Sequence, residues 1–194
     1  MGEIKSAFER AMEKAERLGK ASPEEMKRIE YEPIGNAVAT RYLRGDIADI
    51  KKELSQYGTD VSAYILEGAM QTLIRNISLP RNSGSKNTLA KAMDGILTLK
   101  RNKDMVKEVM SQIEHLFTYY EEALKQTFAN VKQDFESRLR ETRAALEHQY
   151  GNKVNIEMEL QALFQEEWRR ARAQLDAQYE STLEQHKKQL KGIE

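Results

Sequence analysis

Residues 106–150 read VKEVMSQIEHLFTYYEEALKQTFANVKQDFESRLRETRAALEHQY, and the spacing of their apolar residues decides the fold. Val106, Met110, Ile113, Phe117, Tyr120, Leu124, Phe128, Val131, Phe135, Leu139, Thr142, Leu146 and Tyr150 recur at steps of three and four, the period of one helix face. From Tyr120 onward the steps run 4-4-3, an 11-residue repeat. Such a repeat advances about 3.67 residues per turn and favours a straight or right-handed coil over the left-handed coil of heptads. Gly151 and Asn152 then supply a helix stop, and Asn155 is a new cap with Glu157 and Glu159 in the following turn. A second stripe follows through Leu160, Phe164, Trp168, Ala171, Leu175, Tyr179, Thr182, His186, Leu190 and Ile193, with 4-4-3 steps throughout. At 1.5 Å per residue the first arm is about 65–70 Å long, more than a small bundle can cover. Its seam needs the second arm folded back as a hairpin, another copy, or a partner's helices.

Composition agrees with that reading. Of 194 residues, nearly half are Ala, Glu, Leu, Lys or Arg, the signature of long helices. Charged residues at 32% and apolar residues at 40% describe much helix surface and a modest core. Without cysteine there are no disulfides, thiolate metal sites or cysteine nucleophiles. Lys plus Arg and Asp plus Glu both number 31, so bulk charge does not steer the molecule toward nucleic acid or anionic lipid. No apolar run approaches the roughly 18 residues of a membrane span, and no secretory signal is seen. The expectation is a soluble, cytoplasmic protein with no membrane insertion. Met1-Gly2 with Ser6 matches an N-myristoylation pattern, but the pattern is short and one acyl chain needs a second signal to anchor.

The front of the chain is punctuated where the back is not. All three prolines (Pro23, Pro33, Pro80) and six of the ten glycines lie in the first 80 residues. Ile4, Phe8, Ala11, Ala15 and Leu18 have helical spacing, and Gly19 can end that helix. Ser22-Pro23-Glu24-Glu25 is a helix start, with a cap, a proline at the first position and a Glu three residues after the cap. Pro33 is expected to interrupt or restart this helix. Gly45-Asp46 and Gly58-Thr59-Asp60 read as a stop followed by a new cap. Pro80 to Asn87 reads as a loop, with Asn87 capping the next helix, and Arg101 to Asp104 as a short break. The fold class is therefore all-α: a compact helical bundle over 1–100, then a long helical hairpin or coiled-coil arm over 104–194 with a break near 151–155.

Chemical motifs are lacking. Residues three before His115, His148 and His186 are Gln, Ala and Leu, so the Glu-x-x-His pattern of bundle metal sites is missing and no metal or cofactor is expected. His186 falls in the second stripe, where a polar residue can set register. Glu121/Glu122 and Glu166/Glu167 flank a seam on ordinary amphipathic helices, with nothing to predict the pocket that acid–base chemistry needs. Ser83 to Thr88 lacks the Gly-Lys pair of a phosphate loop and follows a helix. No enzymatic activity is expected.

Charge is uneven. Residues 75–107 hold eight basic side chains (Arg75, Arg81, Lys86, Lys91, Lys100, Arg101, Lys103, Lys107) against Asp94 and Asp104, a net +6. Such a segment can meet phosphates, but it carries no aromatic residue to stack a base. It can equally pair with the protein's own acidic arm in an oligomer.

The 4-4-3 arms over residues 106–190 resemble the helices of rotary-ATPase peripheral stalks and related export-apparatus stator proteins. Those stalks carry a mixed α/β domain after the coil, whereas here the compact part comes first. The resemblance is one of architecture and implies no function.

The functional expectation is a non-enzymatic scaffold or adaptor that self-associates as a homo-oligomer or grips a helical partner through its arm. The seam residues are Phe117, Tyr120, Leu124, Phe128, Val131, Phe135, Leu139, Leu146, Phe164, Trp168, Leu175 and Tyr179. The alternative is nucleic-acid binding by the basic segment 75–107, with Arg81, Lys86, Lys100, Arg101 and Lys103 as contacts to an anionic partner.

Overall fold

The computed structural model describes residues 22–80, 83–150 and 156–194, with side chains placed over 22–80, 87–140 and 160–194. Among these residues the chain is all-α, with helices α1 (Pro23–Arg44), α2 (Ile50–Leu54), α3 (Thr59–Arg75), α4 (Ser83–Leu99), α5 (Lys103–Tyr150) and α6 (Ile156–Gly192). The expected helix over Ile4–Leu18, the Met1–Ser6 pattern, Arg81 and the break at 151–155 lie outside the described residues, as do the side chains of Lys86 and Leu146.

The chain divides into two compact units after Arg75. In the first, α1 starts as its sequence dictates. Ser22 Oγ accepts from the Glu25 N–H at 3.2 Å while the Glu25 carboxylate accepts from the Ser22 N–H at 2.7 Å. Those bonds, the backbone one foremost, hold the Glu25 carboxyl below its ordinary pKa. Pro33 does not interrupt α1, contrary to the sequence expectation. Pro33 and Ile29, the residue whose carbonyl loses its helical donor, are both exposed, so water can serve that carbonyl. Gly45 closes the helix at φ 90°, its N–H reaching Tyr42 O at 3.0 Å and the next N–H, of Asp46, reaching Arg41 O at 2.9 Å. Asp49, rather than Asp46, caps α2, accepting from the Lys52 N–H at 2.9 Å.

The helices α1 and α3 meet backbone to backbone. A Cβ built on Gly35 would run into the Ile65 carbonyl and stand 2.7 Å from the Ala69 nitrogen; one on Gly68 would run into the Glu32 carbonyl. Val38, Ala39, Tyr42, Ile65, Ala69 and Leu73 are buried around this contact. Thr72 donates to Asn36 Oδ1 at 2.8 Å and Arg28 pairs with Glu67 at 2.6 Å at its margins.

The second unit, Asn76–Glu194, holds α4 together with α5 and α6. Only Lys100–Asn102 separates α4 from α5. Asn102 caps α5, its Oδ1 accepting from the Met105 N–H at 3.2 Å. The loop expected over 80–87 is shorter than the sequence implied, because α4 already starts at Ser83. Gly84 falls in its first turn, and Ala92, Met93 and Ile96 farther along are buried, so packing of the later turns supports a weak start.

The α5 and α6 helices form an antiparallel hairpin. The Asn102 N–H donates to Glu194 O at 3.1 Å, Tyr120 meets Tyr179, Phe128 meets Trp168 and Phe135 meets Phe164. Climbing one helix thus descends the other. With 48 and 37 residues they are about 72 and 55 Å long.

Candidate functional site

Burial changes along the hairpin. At the base, where α5 starts and α6 ends, Val106, Val109, Met110, Ile113, Phe117 and Tyr120 are buried, as are Leu183, Leu190 and Ile193. Outward from Tyr120 the seam is only half covered: Leu124, Val131, Phe135 and Leu139 on α5, and Phe164, Trp168, Leu175 and Tyr179 on α6, are half-buried, and Phe128 is 40% exposed. In the outer seam two packed helices leave both flanks open to water.

Tyr120 marks the transition. Its ring is fully buried, set edge-on to Tyr179 at 5.3 Å between centroids, and its hydroxyl donates to Asp176 Oδ1 at 2.6 Å. Arg172 lies 3.9 Å from the other oxygen of Asp176. Burial first, and the Asp176 carboxylate second, push the Tyr120 phenol up to about 12. The Tyr179 hydroxyl donates to Tyr119 O at 3.3 Å, tying the two helices a second time. One register satisfies both bonds, so this level fixes how α5 and α6 align.

The outer seam is aromatic. Phe128 packs edge-on against Trp168 at 5.0 Å and Phe164 at 5.8 Å, and Phe164 reaches Phe135 at 5.4 Å. Arg138 closes the cluster, its guanidinium 5.9 Å from the Phe135 ring centre and paired through both terminal nitrogens with the Glu167 carboxylate. That pairing raises the Arg138 pKa and lowers that of Glu167. Beside the cluster Leu163 is 54% exposed. The arrangement offers apolar and aromatic area with a charged rim.

The expected anionic-partner residues divide. Lys100 is turned inward, donating to the backbone carbonyls of Lys191 and Ile193 at the end of α6, and burial lowers its pKa against the pull of Glu194. It closes a helix C-terminus instead of waiting for an anion. Arg101, Lys103 and Lys107 are exposed, and the hairpin brings Lys188 and Lys191, also exposed, to the same end. Sequence reading missed that juxtaposition because the two groups are some 80 residues apart. Leu183 and Asp176 were also missed, since both lie beside the stripe, not on it. His186 is half-buried, its Nδ1 3.2 Å from Gln189 Oε1 of its own helix. An open groove of about 410 Å³ between Met105, Val109, Gln112, Gln189 and Ile193 lies at the base. Among the described residues no group of three or more His, Cys, Asp or Glu is placed to hold a metal ion, and no helix is long and apolar enough to cross a membrane.

These features define an all-α protein with a long antiparallel hairpin, its apolar side chains buried at the base and its aromatic outer seam half covered. The chain belongs to DUF6657, a family of unknown function whose model matches residues 51–192, from α2 to the end of α6. No curated protein and no solved structure matches it.

Proposed function

We propose that this chain is a non-enzymatic, cytoplasmic scaffold or adaptor that works through association of its coiled-coil-like arm. The observation that carries this reading is the half-covered outer seam, where Phe128, Leu163 and their neighbours leave apolar area in water. Fully burying one such side chain contributes about 1.5–3 kcal/mol, so a helical occupant has much to gain there. The test is capture of the tagged full chain from source lysate at moderate salt, with and without nuclease, beside a Leu163→Lys variant. A stoichiometric protein or second copy that survives nuclease and is lost with Leu163→Lys supports the reading. Equal recovery by both baits places the interaction elsewhere and sinks it.

The five exposed cations at the hairpin base favour one further reading, contact with nucleic acid. Binding of that kind weakens steeply with salt, with a slope of about −0.9 per phosphate neutralised on duplex DNA. Titrating labelled duplexes with the wild-type chain and with Arg101→Glu/Lys103→Glu decides it: a steep slope flattened by the variant supports this reading, and a flat profile removes it.

A further inference from the structure

We propose that the exposed apolar face of α1 is the docking surface for this chain's own N-terminal segment, residues 4–18, folded back on it as an antiparallel helix. That face belongs to the first compact unit, whereas association through the arm concerns the second.

α1 packs on α3 through Gly35, around which Val38, Ala39 and Tyr42 are buried. A helix with one buried face ordinarily carries polar residues on the other. On α1 the opposite face holds Met26, Ile29, Pro33 and Ala37, spaced 3-4-4 and lying about 120–180° round the helix from Gly35. All four are exposed, Met26 by 58% and Ile29 by 69%, more than Phe128 or Leu163 in the outer seam of the arm.

The segment that leads into α1 carries a stripe in matching register. Ile4, Phe8, Ala11, Ala15 and Leu18 follow steps of 4-3-4-3. Counted outward from Ser22, Leu18 and Met26 are each four residues away, Ala15 and Ile29 seven, Ala11 and Pro33 eleven, and Phe8 and Ala37 fourteen and fifteen. Two antiparallel helices turning at Ser22 therefore bring the stripes level, pair by pair. Three of the four pairs set an alanine against a larger residue, the alternation that lets facing helices interdigitate.

The turn is already built on the α1 side. Ser22 stands at ψ 156°, outside the helical region, with its hydroxyl accepting from the Glu25 N–H, so the residues before it cannot continue along the α1 axis. Gly19 supplies a stop for the segment, and the four residues from Gly19 to Ser22 have the length of an αα-hairpin connection.

Area favours a tethered occupant. The stripe on α1 is about 20 Å long and about 10 Å wide, or about 200 Å². A standard interface between separate chains needs about 800 Å² per partner, which neither a second copy nor a foreign helix finds on this stripe. A segment on a four-residue linker is held at an effective concentration of about millimolar and needs far less.

The chain has no cysteine, so introduced pairs report without background. In the full chain, Ala15→Cys/Ile29→Cys is expected to close an intramolecular disulfide on mild oxidation. Ala15→Cys/Lys27→Cys, with its second site about 160° round α1 from Ile29, is expected not to. Hydrogen exchange of the wild type is expected to show amides 8–18 slowed about tenfold or more, a protection that Ile29→Asp removes while amides 35–44 stay protected. Should Ile29→Asp also release 35–44, Phe8→Asp, which leaves α1 unaltered, must remove the 8–18 protection alone. Equal cross-linking of the two pairs overturns the inference. Covalent dimers in place of the closed monomer overturn it too, and make a second copy the occupant. Free exchange of 8–18 in the wild type, or protection indifferent to both Ile29→Asp and Phe8→Asp, overturns it and leaves the α1 face to another protein.

Discussion

A single carbon atom at Gly35 has nowhere to go, because the Ile65 carbonyl and the Ala69 nitrogen of α3 occupy the space it needs. Backbone cannot swing aside as a long side chain can, so Gly35→Ala should force α1 and α3 apart. The expected cost is about 2–3 kcal/mol, at the upper end of overpacking penalties, measured by chemical denaturation. Gly68, facing the Glu32 carbonyl, should behave alike, whereas Gly192→Ala, which meets nothing within 4 Å, should cost well under half as much. Tyr120 makes the second prediction at this scale. Its phenol is held protonated in the fold up to about 12 and in the unfolded chain only to about 10. Between those values the native state keeps a proton that the unfolded state has lost, so stability falls as pH rises from 10 to 12. Tyr120→Phe removes that slope, and at pH 7 it should cost about 1–2 kcal/mol for the lost bond to Asp176. Denaturation midpoints of both proteins across pH 8–11 check it: parallel curves would show that the bond to Asp176 is not maintained in solution.

Helices were the most legible level of this sequence, and the physical reason is period. The stripes from Val106 to Tyr150 and from Leu160 to Ile193 repeat often enough that two long helices follow from spacing alone. Local chemistry was equally readable where it is self-contained, as in the Ser22–Glu25 capping box and the left-handed Gly45. Reading failed where distant packing decides. Pro33 looked like an interruption because its propensity is unfavourable, but packing of α1 on α3 around Gly35 outweighs it. Ser83 to Asn87 looked like a loop because glycine and serine are weak helix formers, but burial of Ala92, Met93 and Ile96 carries α4 back to Ser83. Of the site, the stripe set Tyr120, Phe128 and Phe135 on one helix face, yet a 4-4-3 stripe says nothing of its partner; the pairing of Phe128 with Trp168 exists only in the folded hairpin. Phe135→Asp tests this element. A carboxylate in place of the ring loses the edge-on contact with Phe164 and the apolar area that the ring covers, so the outer hairpin should be destabilised by about 2 kcal/mol. Hydrogen exchange should show the loss over 124–140 and 160–175 with base amides near 106–117 still protected. Uniform protection in both proteins would mean the aromatic cluster bears no load.

At the scale of the whole chain, the two compact units divide after Arg75, close to Pro80 and to the start of the basic segment, although neither signal names the boundary itself. On the first side of it α3 packs on α1, and on the second Ile77, Leu79, Ala92 and Ile96 are buried as well. Each unit has buried residues of its own, among them Val38, Ala39, Ile65 and Leu73 in the first and Ile96, Val106, Ile113 and Leu190 in the second. Two cores predict two cooperative transitions, because cooperativity extends only as far as the packing that one unfolding event breaks. Calorimetry of the full chain should resolve two components, and the substitutions above assign them. Gly35→Ala should lower one transition by several degrees and leave the other in place, and Tyr120→Phe should do the reverse; a destabilisation of 1 kcal/mol shifts a unit of this size by about 4–8 °C. Concentration provides an independent check. If the outer seam binds a second copy, only the transition that Tyr120→Phe moves should rise with protein concentration, because mass action stabilises only the unit that makes the contact. One transition shifted equally by both substitutions would instead show that the chain unfolds as a single cooperative body.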